Sequence, residues 1–245
     1  MTTQTTVADK AVLITGANRG LGRALVEDAL ALGARRVYAA ARRPVDHPDA
    51  RVTPLRLDVT DPAGIQAAVK GVDSLDILVN NAGVAVADDL TDPRSIEAHL
   101  AVNLFGTYRV TQAVLPLLTN SAGAIVNVLS LAALATVPVT PGYSISKAAA
   151  FSMSQSLRAL LAPRGVTVHI VLPGPVDTDM IRAWDIPKAD PADVARAIFE
   201  GAAHGLEEIF PDPMSAAVSE GWRNGAVKAL EARNAAAVQA VPARP

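Results

Sequence analysis

The chain has 245 residues, half of them apolar and 19% charged, with a formal net charge of -2 and no cysteine. One hydrophobic core still serves a chain of this length, and such a composition excludes a disordered chain. The balanced charge argues against a nucleic-acid or acidic-membrane binder, and the missing cysteines exclude disulfides, thiol catalysis and cysteine-ligated metal.

Strands and helices alternate along the chain. KAVLIT (10–15) is a short apolar run ending at Gly16, which predicts a buried strand. LGRALVEDALALG (21–33) spaces its apolar residues as a helix does and stops at Gly33. RRVYAAA (35–41) predicts a second strand. RVTPLRLD (51–58) predicts a third, where Pro54 suits an outer position because it cannot donate to a ladder. Asp61 can cap a helix reaching about residue 70, with Pro62 in its first turn. DILVN (76–80), AIVNVLS (124–130) and VTVHIVL (166–172) predict three more strands. One long helix is expected from about Pro93 to Leu118, and another over roughly 142–161. Segment 173–192 carries several prolines and reads as a loop with a short helix, a candidate lid. A helix over 191–203, a short strand near 207–210 and a last amphipathic helix over about 214–235 precede a tail expected to fray from about 236 to 245.

Strands separated by helices predict an α/β fold: a doubly wound (Rossmann) parallel sheet of about seven strands with helices on both faces. No repeat or linker divides the chain, so residues 1–245 are expected to form one domain. No apolar run reaches the ~20 residues of a membrane span. The start MTTQTTVADK lacks the charged flank and apolar stretch of a signal peptide, so a cytoplasmic protein is expected.

The first strand runs directly into TGANRGLG (15–22). Gly16, Gly20 and Gly22 permit a tight turn and close approach of backbone to a phosphate, at a helix start that favours an anion. Asn18, Arg19 and Leu21 complete the loop. The alternative is a glycine-rich turn with no ligand. The spacing is neither the common dinucleotide fingerprint nor a Walker loop. An acid at the end of the second strand would bind the ribose hydroxyls of NAD. Here Ala41 stands there, followed by Arg42 and Arg43. A guanidinium suits a phosphate dianion, so NADP(H) is expected in preference to NAD(H), with Arg42 and Arg19 as its partners. The alternative makes these arginines a solvated turn, and Arg43 is expected to point away.

TGANRGLG, NNAG (80–83), Asn103, Ser130 and YSISK (143–147), in this order and each at a predicted strand end or on a helix, resemble the short-chain dehydrogenase/reductase family, single-domain branch. The resemblance covers roughly residues 10–210. It implies that Asp58 and Val59 hold an adenine, and that Asn80, Asn81, Ala82 and Gly83 close the fourth strand beneath the cofactor. NNAG can equally serve structure, with the two Asn side chains tying loops together. The resemblance also implies that Pro173, Gly174, the Val176 backbone and the Thr178 hydroxyl grip the nicotinamide; the alternative for Thr178 is a helix cap.

Tyr143 and Lys147 lie four apart and share a helix face. An ammonium beside a phenol favours the phenolate, so the Tyr143 pKa is expected to fall from about 10 toward neutral. Such a phenol can protonate a carbonyl oxygen as hydride reaches carbon. Ser130 can hydrogen-bond the same oxygen. The resemblance implies that Asn103 binds a water linking Lys147 to solvent. Each of the four has a bland alternative: a packed aromatic, a solvated lysine, a turn serine, a helix kink. The four His are scattered at 47, 99, 169 and 204, and no cluster has metal-ligand spacing, so no metal is expected. His169 reads as a packed strand residue.

Val84, Leu131, Ala132, Val137, Pro138, Pro175, Met180, Ile181 and Trp184 are the candidate substrate wall. They are apolar and favour an uncharged ketone or aldehyde, or its alcohol; lid packing is an equal alternative for Met180 and Trp184. The expectation is an NADP(H)-dependent oxidoreductase acting on a small carbonyl or alcohol. Two rivals are a non-catalytic NADP-sensing regulator and an epimerase or dehydratase. The family's usual glycine-rich stretch after the last strand is missing from EEIFPDPMSAAVSEGW, which puts the usual tetramer in doubt. A homodimer through the two long helices is expected instead.

Overall fold

The computed structural model describes residues 5–239. Seven strands form one sheet: β1 (Ala11–Thr15), β2 (Arg36–Ala41), β3 (Val52–Arg56), β4 (Ile77–Asn80), β5 (Ala124–Val128), β6 (Thr167–Val171) and β7 (Glu208–Ile209). Their order is β3-β2-β1-β4-β5-β6-β7, and every neighbouring pair is parallel. Pro54 sits on the edge strand β3, opposite Ala39, where its missing donor interrupts nothing further out.

The helices are α1 (Gly20–Ala31), α2 (Pro62–Val69), α3 (Pro93–Leu100), α4 (Thr107–Ser121), α5 (Pro141–Leu161), α6 (Pro191–Ala203), α7 (Pro213–Arg223) and α8 (Ala226–Gln239). Alternation along β1 explains their two layers. Val12 and Ile14 belong to a core with Leu25 of α1 and Ile198 of α6. Ala11 and Leu13 belong to the opposite core, with Ile65 of α2, Val114 of α4 and Leu157 of α5. The chain winds outward from β1 to β3 and then returns to β4 on the other side of β1. That reversal opens a crevice at the carboxyl ends of β1 and β4.

Two expected helices prove to be broken. The stretch over 93–118 contains a wider π-helical turn, Ala101–Gly106, between α3 and α4. Asn103 lies in that turn, buried and bonded outward to Val84 and Ser146. The expected helix over 214–235 divides at Asn224 and Gly225 into α7 and α8. The bend lets α8 pack back on the sheet edge. There Arg158 of α5 and Lys228 of α8 each pair with Glu207, Glu208 and Glu231 at 2.6–3.4 Å. The helix continues to Gln239, into the expected tail, and residues 240–245 lie outside the described residues, as do 1–4 at the start.

Segment 173–192 holds one 3-10 turn, Asp179–Ile181. Its base is closed by a parallel bridge between Val176 and Ala189. No helix among the described residues is long and apolar enough to cross a membrane.

Candidate active site

A cavity of about 1140 Å³ fills the crevice. Its floor is built from the residues that end β1, β4, β5 and β6, and Tyr143 and Lys147 enter from α5. At the end of β1 the backbone turns at Gly16 with φ +68°, a conformation that side chains disfavour. A Cβ on Gly22 would lie 2.1 Å from the Gly16 carbonyl oxygen, so only glycine lets α1 leave so close to the strand. The helix starts with no side-chain cap and no acid in its first turn, which leaves its amides and positive dipole end directed at the cavity. Asn81 locks this loop from below: its side-chain amide donates to the carbonyls of Thr15 and Gly16 at 3.0 and 3.4 Å.

At one end, beside the ends of β2 and β3, Arg42, Arg43 and Arg56 line the cavity. All three are exposed, and none makes a hydrogen bond or ion pair with another described residue. They converge because β2 and β3 pair in register, with Ala41 opposite Arg56, so Arg42 and Arg56 leave neighbouring strand ends. Asp58 also lines this end. It accepts from the Thr60 amide at 2.9 Å and hydroxyl at 2.7 Å, and these bonds hold its carboxyl below the usual range.

At the other end, Ser130 follows β5 and Tyr143 faces it from the first turn of α5, near enough for the Ser130 hydroxyl to act on the phenol. Ser130 Oγ also accepts from the Ala132 amide at 3.1 Å, which fixes its rotamer. Lys147 is buried, and its ammonium donates to the Val128 carbonyl at 3.0 Å. It stands 5.6 Å from the centre of the Tyr143 ring, over the face. Burial decides both pKa values. The phenol is pushed up to about 12, opposed only by the smaller lowering effect of Ser130, and the lysine down to about 8. This corrects the expected fall of the phenol toward neutral. The lysine is aimed at a backbone carbonyl and the ring face, so desolvation outweighs attraction to the phenolate.

Beneath these groups runs a buried chain of hydrogen bonds. Asn80 donates to Thr111 at 3.0 Å and to Asn127 at 2.9 Å; Asn127 donates to Ser154 at 2.9 Å, and Ser154 to the Ala150 carbonyl at 2.7 Å. The chain links β4, β5, α4 and α5.

Comparison with known proteins agrees with this architecture. The family model described as short chain dehydrogenase matches residues 10–188. The chain belongs to the short-chain dehydrogenase family. This short-chain dehydrogenase is 32% identical over 212 residues to 3-oxoacyl-(acyl-carrier-protein) reductase FabG of Salmonella typhimurium, covering 82% of this chain and 86% of that one. It is 38% identical over 195 residues to the short chain dehydrogenase mpl6 of Monascus purpureus, covering 70% and 66%. Among solved structures, a short chain dehydrogenase from Burkholderia cenocepacia in complex with NADP aligns with a TM-score of 0.85 and 35% identity, covering 93% of this chain and 98% of that one.

In this short-chain dehydrogenase the cavity brings together most of the residues expected from sequence. Gly16, Asn18, Arg19, Gly20, Leu21, Gly22, Arg42, Asp58, Val59, Asn81, Ala82, Gly83, Pro173, Gly174, Val176 and Thr178 line it with Ser130, Tyr143 and Lys147. So do Val84, Leu131, Ala132, Val137, Pro175, Met180, Ile181 and Trp184.

Five expectations need correction. Asn80 does not line the cavity; its amide nitrogen is consumed by the buried chain and its oxygen is buried without a partner, so its place is structural. Pro138 is exposed outside the lining. Arg43, expected to point away, lines it. Arg19 lines it too, but its guanidinium donates to Asp179 at 3.3 Å across the mouth. Asn103 lies behind the wall. Its amide donates to the Val84 carbonyl and to Ser146 Oγ, and its oxygen accepts from the Val84 amide, each at 2.9 Å. Both hydrogens of its amide nitrogen are taken up by protein, which leaves only the second lone pair of its oxygen for the expected relay water.

Arg56, Ala85, Ala87, Ile186 and Met214 are wall residues that sequence reasoning missed. Arg56 had a signal, because parallel pairing of the second and third strands brings their ends together. Met214 had none. It arrives because Asp212 accepts from the Gly174 amide at 2.8 Å and caps α7, seating the start of α7 against the loop after β6. His169 is buried, with its ring nitrogens on Thr5 and the Leu206 carbonyl, away from the cavity. Among the described residues no group of three His, Asp or Glu is placed to hold a metal.

Proposed function

We propose that this short-chain dehydrogenase reduces an uncharged ketone or aldehyde with NADPH, as a one-domain enzyme. The observation that carries the reading is one cavity with two chemically different ends. Ser130, Tyr143 and Lys147 meet at one, and three guanidinium groups without protein partners meet at the other.

The donor set fits a nicotinamide dinucleotide. The uncapped start of α1 and the close backbone at Gly16 suit a pyrophosphate. Arg42, Arg43 and Arg56 suit a 2′-phosphate, since a guanidinium fork matches a phosphate dianion and no acid occupies the end of β2. The Burkholderia cenocepacia relative, crystallised with NADP, supports that choice. A bound reduced nicotinamide supplies the hydride that the substrate's carbonyl carbon accepts.

The chain's own groups do the rest. Ser130 donates to the carbonyl oxygen and orients it. As hydride reaches carbon, the carbonyl π pair moves to oxygen and takes the Tyr143 proton. The ammonium of Lys147, charged below about pH 8, stabilises the phenolate left behind. At pH 7 the phenol carries its proton, the form that donates. Apolar walls at Val84, Leu131, Ile181, Trp184, Ile186 and Met214 exclude water and offer no cation for a substrate carboxylate or phosphate. The name of the FabG relative, a 3-oxoacyl reductase, supports a ketone substrate. Phe105, Tyr108, Ile145 and Leu160 are exposed on the π turn, α4 and α5, and support a homodimer through those helices.

Absorbance of reduced nicotinamide, followed with NADPH and NADH over a panel of uncharged ketones and aldehydes, tests the reading. Substrate-dependent loss with NADPH preferred is expected. Tight NADPH binding without loss on any carbonyl would favour the regulatory rival.

A further inference from the structure

The loop after β4 enters the reading above only as pocket wall, yet it is tied down at every second residue. Val84 bonds Asn103 through both of its backbone groups. Val86 donates its amide to Nε2 of buried His99 at 3.0 Å, and Nδ1 of that ring donates to the Ser95 carbonyl at 2.8 Å. Both ring nitrogens are therefore satisfied within α3 and the loop. Asp88 reaches outward: its Oδ2 accepts from the Gly142 amide at 3.1 Å, and Oδ1 lies 3.4 Å from the same amide and 3.3 Å from that of Leu90. Between these anchors, Ala85 and Ala87 line the cavity.

Gly142 is the second residue of α5, and its amide is one of the four that a helix start leaves without an internal partner. Thr140, at the cap position, makes no side-chain cap bond. The first turn of α5 is therefore capped from another loop, by a carboxylate 54 residues earlier in the chain. The fit is close. A Cβ on Gly142 would stand 3.0 Å from His99 Nδ1 and 3.1 Å from Asp88 Oδ2. The next residue is Tyr143, whose ring meets the His99 ring edge-on, with centroids 6.3 Å apart.

We propose that Asp88, on a loop steadied by His99, is a positioning residue that holds the first turn of α5 so that the Tyr143 hydroxyl stays against Ser130. The same strap joins that register to the pocket wall, because Ala85 and Ala87 lie between the anchored positions. The proposal rests on Tyr143 being the proton donor.

The test pairs Asp88→Ala with Asp88→Asn in the full chain. Asparagine keeps an oxygen that can accept from Gly142. Amide exchange at residues 142–144 reads the cap without any turnover. Asp88→Ala should accelerate that exchange and Asp88→Asn should restore it. Steady-state kinetics should give a kcat roughly 10- to 100-fold lower for Asp88→Ala. NADPH affinity should stay within about 2-fold, the melting point should fall by only about 2–4 °C, and Asp88→Asn should recover most of kcat. Three results would overturn the proposal: unchanged exchange in Asp88→Ala, faster exchange with unchanged kcat, or equal loss of kcat in both variants. Wild-type protein inactive on every carbonyl would count against the proposed reaction, while exchange would still read whether Asp88 holds the start of α5.

Discussion

The two ends of the cavity are held in opposite ways. Around Tyr143 nearly every polar side chain is buried and already bonded to protein: Asn80 to Asn127, Asn127 to Ser154, Asn103 to Val84 and Ser146, Lys147 to Val128. Around Arg42, Arg43 and Arg56 the side chains are exposed and make no protein bond. The first arrangement is preorganised, so its cost was met in folding and its groups wait in place. The second is ordered only when a ligand neutralises it, so each guanidinium surrenders rotamer entropy on binding. Changes at the first end should therefore appear in turnover and stability, and changes at the second in affinity alone.

The sharpest break of that contrast is Tyr143→Phe. It removes the proposed proton donor and little else. Turnover should fall by roughly three to four orders of magnitude, while NADPH binding, followed by nucleotide fluorescence, changes by less than about 3-fold. Substantial residual turnover would remove Tyr143 from the reaction.

Lys147→Met tests how costly the preorganised end is. Burial holds the ammonium pKa at about 8, below the value of 10.5 it has when exposed. The unfolded chain therefore binds the proton more tightly than the folded one does. The resulting destabilisation is fully present below pH 8 and disappears as pH rises toward 10.5. At pH 7 the variant should be more stable by about 2–3 kcal/mol and nearly inactive. In chemical denaturation the difference should shrink steadily above pH 8. A variant that loses stability at pH 7 would mean that the bond to Val128 outweighs the burial of charge.

Asn127→Leu breaks the buried chain at its middle and leaves the Asn80 amide one partner short. A loss of about 2–3 kcal/mol is expected, seen as a melting point lower by roughly 5–10 °C, with KM for NADPH little changed. At the open end the effects should be smaller and purely in binding. Arg42→Ala should weaken NADPH roughly 10-fold and NADH by less than about 2-fold, and Arg43→Ala should do the same more weakly. Equal weakening of both nucleotides would show that these arginines do not meet the 2′-phosphate.

Much of this molecule was legible in one dimension. Alternating apolar runs and helical periods specify a doubly wound sheet because burial on one or both faces leaves a local trace. Pro54 placed the third strand outermost because its missing donor can be tolerated only there. Gly16, Gly22, Ser130, Tyr143 and Lys147 could be located because each sits at a strand end or on one helix face, where spacing along the chain translates directly into direction. What tertiary structure alone decided concerns contacts between distant segments. The widened turn at Asn103 exists because its side chain reaches Val84 and Ser146. Asn80 became structural because Thr111 and Asn127 converge on it. Met214 reached the pocket through Asp212, and Asp88 reached the start of α5. The direction of the Tyr143 and Lys147 shifts also belongs here. Spacing shows that two groups are near, but the depth of burial decides whether attraction or desolvation prevails, and burial is a property of the whole fold.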